Sequence, residues 1–284
     1  MAIQNLIELN EQYVTVEGIQ IRYVSIGNGP PLLLVHGFGE FIEVWIYNIP
    51  SLSERFTVYA MDMPGHGKSE EPGQEYNLPF ATKFITSFIN AMGIQRTNMI
   101  GHSLGGLACL SVTLDFPDKV DKLILVDSDG FSKETPLIYR LATLPLLGEI
   151  MLKPTVKAAI RAGMKKRFYN PELITEEWVD LSFKYMKMPK TKDTLLNIVR
   201  SNTTINGFHP EVVITDKLHL VNVPTLIIHG MQDTVIPIQQ AREASNLIPH
   251  AKLKVIEKCG HNPHLEKPEE FNQAVLEFLT NDQP

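Results

Sequence analysis

The stretch Gly101-His102-Ser103-Leu104-Gly105 constrains this chain more than any other. Thr97 to Ile100 just before it close a short apolar run that reads as a buried strand, and Gly106 to Phe116 after it read as an apolar helix. A strand that turns into a helix within so few residues leaves no room for side chains where the two meet, which is what glycine two positions either side of Ser103 provides. The serine between them is held in a strained conformation with its hydroxyl out of the sheet. The competing assignment is a serine that only caps the helix, since serine is a favoured N-cap residue.

Strands and helices alternate on both sides of this turn. Tyr13 to Glu17 and Ile19 to Ser25 alternate apolar and polar residues around Gly18, as an edge hairpin does. Leu32 to Val35, Phe56 to Met61 and Lys122 to Val126 are apolar runs that predict strands covered on both faces. Helices are expected over Glu40 to Leu52, limited by Pro50, and over Leu78 to Met92. This rhythm implies a parallel sheet built from βαβ units. It breaks after Phe131, where Pro136 to Met151, Thr155 to Tyr169, Glu172 to Met188 and Lys190 to Thr204 all carry helical patterns and no strand is clear. The sheet resumes at Pro224 to His229 and Lys252 to Ile256, with helices at Ile238 to Leu247 and Pro268 to Leu279.

The expected organisation is therefore a core from residues 1–130 and 216–284, with a helical cap over residues 131–215. Such an insertion leaves the sheet at the C-terminal end of Lys122 to Val126, the end where open α/β sheets bind ligands, so it is placed to cover Ser103.

A serine hydroxyl needs a neighbouring base, and the base needs a third group to fix its orientation. Asp233 follows the strand Pro224 to His229, and His261 follows Lys252 to Ile256, so both would project from the same sheet edge as Ser103. His36, His66, His102 and His264 are expected to make loop hydrogen bonds.

In five blocks the sequence resembles the α/β-hydrolase fold superfamily over nearly its whole length, from Val14 to Leu279. These are His36-Gly37-Phe38-Gly39, Asp62-Met63-Pro64-Gly65-His66-Gly67-Lys68-Ser69, Gly101 to Gly106, Gly230-Met231-Gln232-Asp233 and Gly260-His261-Asn262-Pro263-His264-Leu265-Glu266-Lys267-Pro268. The resemblance implies a mostly parallel eight-stranded α/β sheet with helices on both faces and a helical cap inserted after the sixth strand. It further implies a nucleophile elbow at Ser103, His261 as general base and then acid, Asp233 as the orienting acid, and an oxyanion hole from the backbone amides of Phe38 and Leu104. Asp127 and Asp129, after Lys122 to Val126, compete with Asp233, because the acid follows that earlier strand in some members of the superfamily this chain resembles.

Serine at position 103 separates the chain from capped relatives with an aspartate nucleophile, the haloalkane dehalogenases and epoxide hydrolases, and points to an ester or related carbonyl substrate with water as acceptor. The insertion supplies apolar candidates to face Ser103, among them Phe131, Leu137, Ile138, Leu141, Leu144, Leu146 and Leu147. Phe38, Phe131, Leu137, Leu141 and Val235 are the expected pocket walls, which favours an alkyl or aryl substrate over a sugar or nucleotide. The capped serine hydrolases that cleave carbon–carbon bonds in ring-fission products are also similar, including Trp45 and the run at Asp62. The chain departs from them at Asn262, where an aromatic residue is common, and at His102 before the serine. Acyl transfer, perhydrolysis and ligand binding as a receptor use the same fold.

Composition excludes several classes. With 44% hydrophobic and 20% charged residues over 284 positions, a large core can form. A formal charge of -6 argues against a nucleic-acid surface, and Lys165-Lys166-Arg167 reads as a solvated helix face. Cys109 and Cys259 make no disulfide framework, and Met1 to Asn10 lack the pattern of a leader, so a cytoplasmic setting is expected and the Asn202-Thr203-Thr204 sequon reads as chance. Gly67-Lys68-Ser69 imitates a P-loop end, but Asp62 stands where its first glycine belongs. His261, His264 and Glu266 lack a metal-site pattern, and no metal or organic cofactor is expected.

Overall fold

The computed structural model describes residues 10–152, 156–188 and 190–281. The leader expectation for Met1 to Asn10 thus falls almost wholly outside the described residues, as does Thr155.

The chain enters through a hairpin, β1 (Gln12–Val16) and β2 (Ile19–Ile26), whose burial alternates along β1 and is broken in β2 by the buried Arg22. Then come β3 (Pro31–Val35), the short helix α1 (Ile49–Ser53), β4 (Thr57–Met61), α2 (Leu78–Ala91), β5 (Thr97–His102), α3 (Leu104–Asp115) and β6 (Val120–Val126). The expected helix over Glu40 to Leu52 is instead a single 3-10 turn at Ile42–Trp45 followed by α1. Pro50 does not limit a helix here: it stands in the first turn of α1, where its missing N–H costs nothing.

Between β6 and the next sheet strand, the chain runs through α4 (Leu137–Ala142), α5 (Leu147–Met151), α6 (Lys157–Arg167), α7 (Glu176–Met186), α8 (Thr191–Asn202) and a two-residue ribbon, β7 (Thr203–Thr204) with β8 (Gly207–Phe208). Pro145 falls between α4 and α5, dividing the single helix expected from Pro136 to Met151. The core resumes with β9 (Thr225–Gly230), α9 (Ile238–Leu247), β10 (Lys252–Ile256), α10 (Pro263–Glu266) and α11 (Pro268–Thr280).

Among the described residues eight strands form one sheet in the order β1-β2-β4-β3-β5-β6-β9-β10, parallel except at β1-β2 and β2-β4. The central strands are apolar throughout because each feeds two cores with period two. Leu33 and Val35 face a layer with Phe84, Phe88, Leu107 and Leu110 from α2 and α3, while Leu32 and Leu34 face one with Trp45, Leu52, Phe271 and Val275. The parallel register brings the C-terminal ends of β3, β5, β6, β9 and β10 to one edge. Among the described residues no helix is long and apolar enough to cross a membrane.

Candidate active site

Ser103 caps the C-terminal end of β5 with φ 52° and ψ -121°, a conformation that costs a non-glycine residue strain. The flanking glycines show why it persists. A Cβ on Gly101 would lie 2.5 Å from the Gly105 carbonyl oxygen, and one on Gly105 would lie 2.4 Å from that of His36. The elbow is therefore wedged between the start of α3 and the loop after β3. The serine side chain makes no capping bond to α3. Its Oγ lies 3.1 Å from His261 Nε2, and His261 Nδ1 lies 2.7 Å from Asp233 Oδ2.

Asp233 is fixed by its own turn, where Oδ1 accepts the amides of Val235 at 2.7 Å and Ile236 at 3.0 Å. The loops carrying Asp233 and His261 touch at Gly230, where a Cβ would come within 1.9 Å of the Gly260 carbonyl oxygen. Met231 and Gln232 donate their amides to Ile256 and Cys259, locking the same pair of loops.

Burial alone would raise the Asp233 carboxyl, but His261 beside it, His229 and the turn amides hold it down at about 2. Burial lowers His261 below its ordinary value, and Asp233, pulling the other way, does not make up the difference. The pair at neutral pH is thus a carboxylate and a neutral imidazole, the arrangement a general base requires.

The loop after β3 faces the elbow. Glu40 Oε2 accepts the Gly37 amide at 2.8 Å, Glu40 donates its own amide to the Gly37 carbonyl at 3.2 Å, and His36 links the same carbonyl to the Met63 amide. Phe38 follows Gly37, where a Cβ would lie 3.1 Å from the Ser103 Cβ, and Leu104 follows Ser103; among the described residues neither amide has a backbone acceptor.

A family model described as the alpha/beta hydrolase fold matches residues 30–268. The chain belongs to the α/β-hydrolase fold family. The hydrolase is 30% identical over 277 residues to the 2-hydroxy-6-oxo-6-(2'-aminophenyl)hexa-2,4-dienoic acid hydrolase of Metapseudomonas resinovorans, covering 95% of this chain and 91% of the relative. It is equally 30% identical to an uncharacterized Mycobacterium tuberculosis protein, over 96% of this chain and 82% of that one. Among solved structures, a serine hydrolase involved in carbazole degradation superposes with a TM-score of 0.81 at 27% identity, covering 95% of this chain and 98% of that one.

The expected walls of the hydrolase pocket are only partly where the sequence put them. Phe38 is half-buried and meets Tyr139 of α4 edge-on at 5.3 Å. Phe131 is buried within the α2–α3 core layer. Leu137 is 62% exposed, so it is not a wall; Ile138, Leu144 and Leu146 are exposed as well. An apolar helix in an insertion does not disclose which face it turns inward, and here α4 turns Tyr139 toward Phe38. Leu141 and Val235 are half-buried, and the backbone of Val235 serves Asp233.

Two polar residues of the site, His102 and Arg167, carried no catalytic signal, and a third, Asp129, is the competitor of Asp233 named from the sequence. His102 joins Glu40 to the loop of His261: Nδ1 meets Glu40 Oε2 at 2.8 Å and Nε2 meets the His261 carbonyl at 2.8 Å. Arg167, read as part of a solvated face, turns inward from the end of α6, pairs with Glu40 and accepts the His261 amide on its carbonyl at 2.7 Å. Lys165 and Lys166 are exposed as expected. Asp129, beside Ser103, is raised to about 7 by burial and by Asp233, against the pull of His102 and the Ser103 hydroxyl.

His36, His66 and His102 make the expected loop hydrogen bonds, whereas His264 does not. Both its ring nitrogens are buried without partners, and the ring packs 4.5 Å from Trp45 and 4.6 Å from His102. Burial first, then His102, pushes it well below the ordinary histidine range, so it serves as an apolar ring. Glu266 accepts the amides of Gly260, Tyr169 and Asn170, and Asp62 those of Ile42 and Lys68, so both suspected decoys are anchors for loops. Asn202 of the sequon is buried and bonded to Tyr76 and Ile198 carbonyls.

Proposed function

We propose that the hydrolase cleaves a small, neutral, apolar carboxylic ester through an acyl-enzyme. The observation that carries the reading is the continuous run Ser103 Oγ, His261 and Asp233 at 3.1 and 2.7 Å, ending in a neutral imidazole. His261 takes the Ser103 proton as Oγ attacks the ester carbonyl carbon. The oxyanion is received by the Phe38 and Leu104 amides, and its collapse breaks the C–O bond as His261 protonates the departing alcohol. His261 then takes a proton from water, whose oxygen attacks the acyl carbon. The acid leaves, and the proton returns to Ser103.

Charge around Ser103 favours a neutral substrate. Asp129 adds carboxylate character beside the nucleophile, and the guanidinium of Arg167 is already neutralised by Glu40. A substrate carboxylate would meet repulsion there. Ser103 itself is only 8% exposed beneath the insertion, which suits a small substrate.

The test is steady-state hydrolysis of p-nitrophenyl esters of graded acyl length by wild type and Ser103→Ala. Turnover that peaks at one chain length and vanishes in the variant is expected; full hydrolysis by the variant removes the assignment. A second reading, carbon–carbon hydrolysis of a ring-fission dienoic acid, is favoured by the 30% identity to the Metapseudomonas resinovorans enzyme over 95% of this chain. Preference for a 2-hydroxy-6-oxo-hexadienoate over every ester in the same assay selects it.

A further inference from the structure

Asp127 follows β6, one strand before the position of Asp233, and its backbone is held at φ 40°. It is wholly buried. Its amide donates to the Ile228 carbonyl at 3.0 Å, its Oδ1 accepts the Gly230 amide at 3.0 Å, and the same oxygen lies 3.4 Å from His229 Nε2. Its other oxygen, Oδ2, is buried without a partner. Donor atoms of Asp127, His229 and Asp233 lie within 4.8 Å of one another, and so do those of Asp127, His102 and His261. Asp127 therefore adjoins both the acid and the base, yet the reaction above does not use it.

An unpaired carboxylate oxygen sealed from water is costly, and two adjacent carboxylates more so. A proton on Asp127 answers both. Asp233 has given Oδ1 to two amides and Oδ2 to His261, which leaves it one acceptor position for a carboxylic O–H. Burial and then the charge of Asp233 push Asp127 well above the usual carboxylate range, in agreement with that assignment.

We propose that Asp127 is a reserve carboxylate for His261: it steadies Asp233 through a shared proton and takes over the negative charge when Asp233 is neutralised. In the intact site it is a positioning residue. With Asp233→Asn the like charge disappears, Asp127 ionises, and a carboxylate again stands within 4.8 Å of His261 to stabilise its protonated form. The inference rests on the Ser103–His261 reading proposed above.

The experiment is labelling by a fluorophosphonate, which reports Ser103 nucleophilicity whatever the natural substrate. Its maximal rate and half-saturating concentration are measured for wild type, Asp127→Asn, Asp233→Asn and the double variant. Full loss of the orienting acid is on the order of 10⁴-fold in the well-studied protease triad, and here Asp233→Asn is expected to stop near ~10²-fold. Adding Asp127→Asn then lowers the rate by at least about 10-fold more at unchanged half-saturation, whereas Asp127→Asn alone costs only about 5-fold because its amide still donates to Asp233. Asparagine suits the positive φ at this position. Asp127→Ser, which keeps a donor but no carboxylate, gives the same pattern and guards against misfolding of the first variant. A double variant no slower than Asp233→Asn overturns the proposal, as does Asp127→Asn alone matching Asp233→Asn. Labelling that survives Ser103→Ala overturns the triad reading instead, and this inference with it.

Discussion

At the scale of single residues, the site is a set of opposed electrostatic pulls whose balance decides protonation. His261 is the instructive case. Burial disfavours its charged form and Asp233 favours it, and burial prevails, so the folded enzyme holds the ring neutral at pH values where a free imidazole would already be half charged. The sign for activity follows. In the proposed mechanism the base works only when neutral, so activity is expected to fall as pH drops through the His261 value, and that value lies below the unperturbed one of about 6.5. The acid limb of kcat/KM for wild type is accordingly expected below about pH 6.5, measured with a neutral ester whose own ionisation does not intrude. An acid limb above that value would mean that Asp233 outweighs burial, and that the resting site carries an imidazolium.

Elements are held to this edge by a buried charge cluster as much as by apolar packing. Arg22 of β2 is wholly buried and reaches Glu43 at 2.8 Å and Asp62 at 3.1 Å, while Tyr185 of α7 donates to Glu43 at 2.8 Å. Asp62 in turn accepts the Ile42 amide at 2.7 Å, so the hairpin, the turn after β3, the loop after β4 and the insertion meet at one guanidinium. Removing it leaves two buried carboxylates without their cation, which typically costs about 3–5 kcal/mol. Arg22→Met should lose stability of that order in urea denaturation at neutral pH. A loss below about 1 kcal/mol would show that water reaches the cluster. None of this was legible in the sequence, because the partners lie 21, 40 and 163 positions away from Arg22. What was legible had a local cause. The central strands announced themselves because both their faces are buried, and Ser103 because the elbow cannot tolerate side chains on either flank. Pro50 misled because a proline inside the first turn of a helix looks, in sequence, like a proline that ends one. The ribbon of β7 and β8 has only two residues per strand, too few for any period to register.

Over the whole molecule, the insertion is part of the site through its backbone and its charge together. The Arg167 carbonyl takes the His261 amide at 2.7 Å, and the Tyr169 and Asn170 amides run to Glu266 at the end of α10. Close approach is possible because residue 260 is glycine: a Cβ there would lie 2.4 Å from the Arg167 carbonyl oxygen. The Arg167 guanidinium meanwhile pairs with Glu40 across 127 positions of chain, joining α6 to the loop that faces Ser103. Glu40 is held well below the usual carboxylate range, against its own burial, by His102 and Arg167. It is therefore charged whenever the enzyme is folded at neutral pH, and Arg167 is one of two groups answering that charge. The consequence is an interaction between two parts of the chain that stability measurements can isolate. Arg167→Gln strands a buried carboxylate on His102 alone, and Glu40→Gln strands the arginine, but the double variant faces two neutral amides. The two single losses in urea denaturation should therefore sum to more than the loss of the double variant, by about 1–3 kcal/mol. Additive losses would mean that the Arg167 side chain adds nothing across this contact and is free to follow solvent.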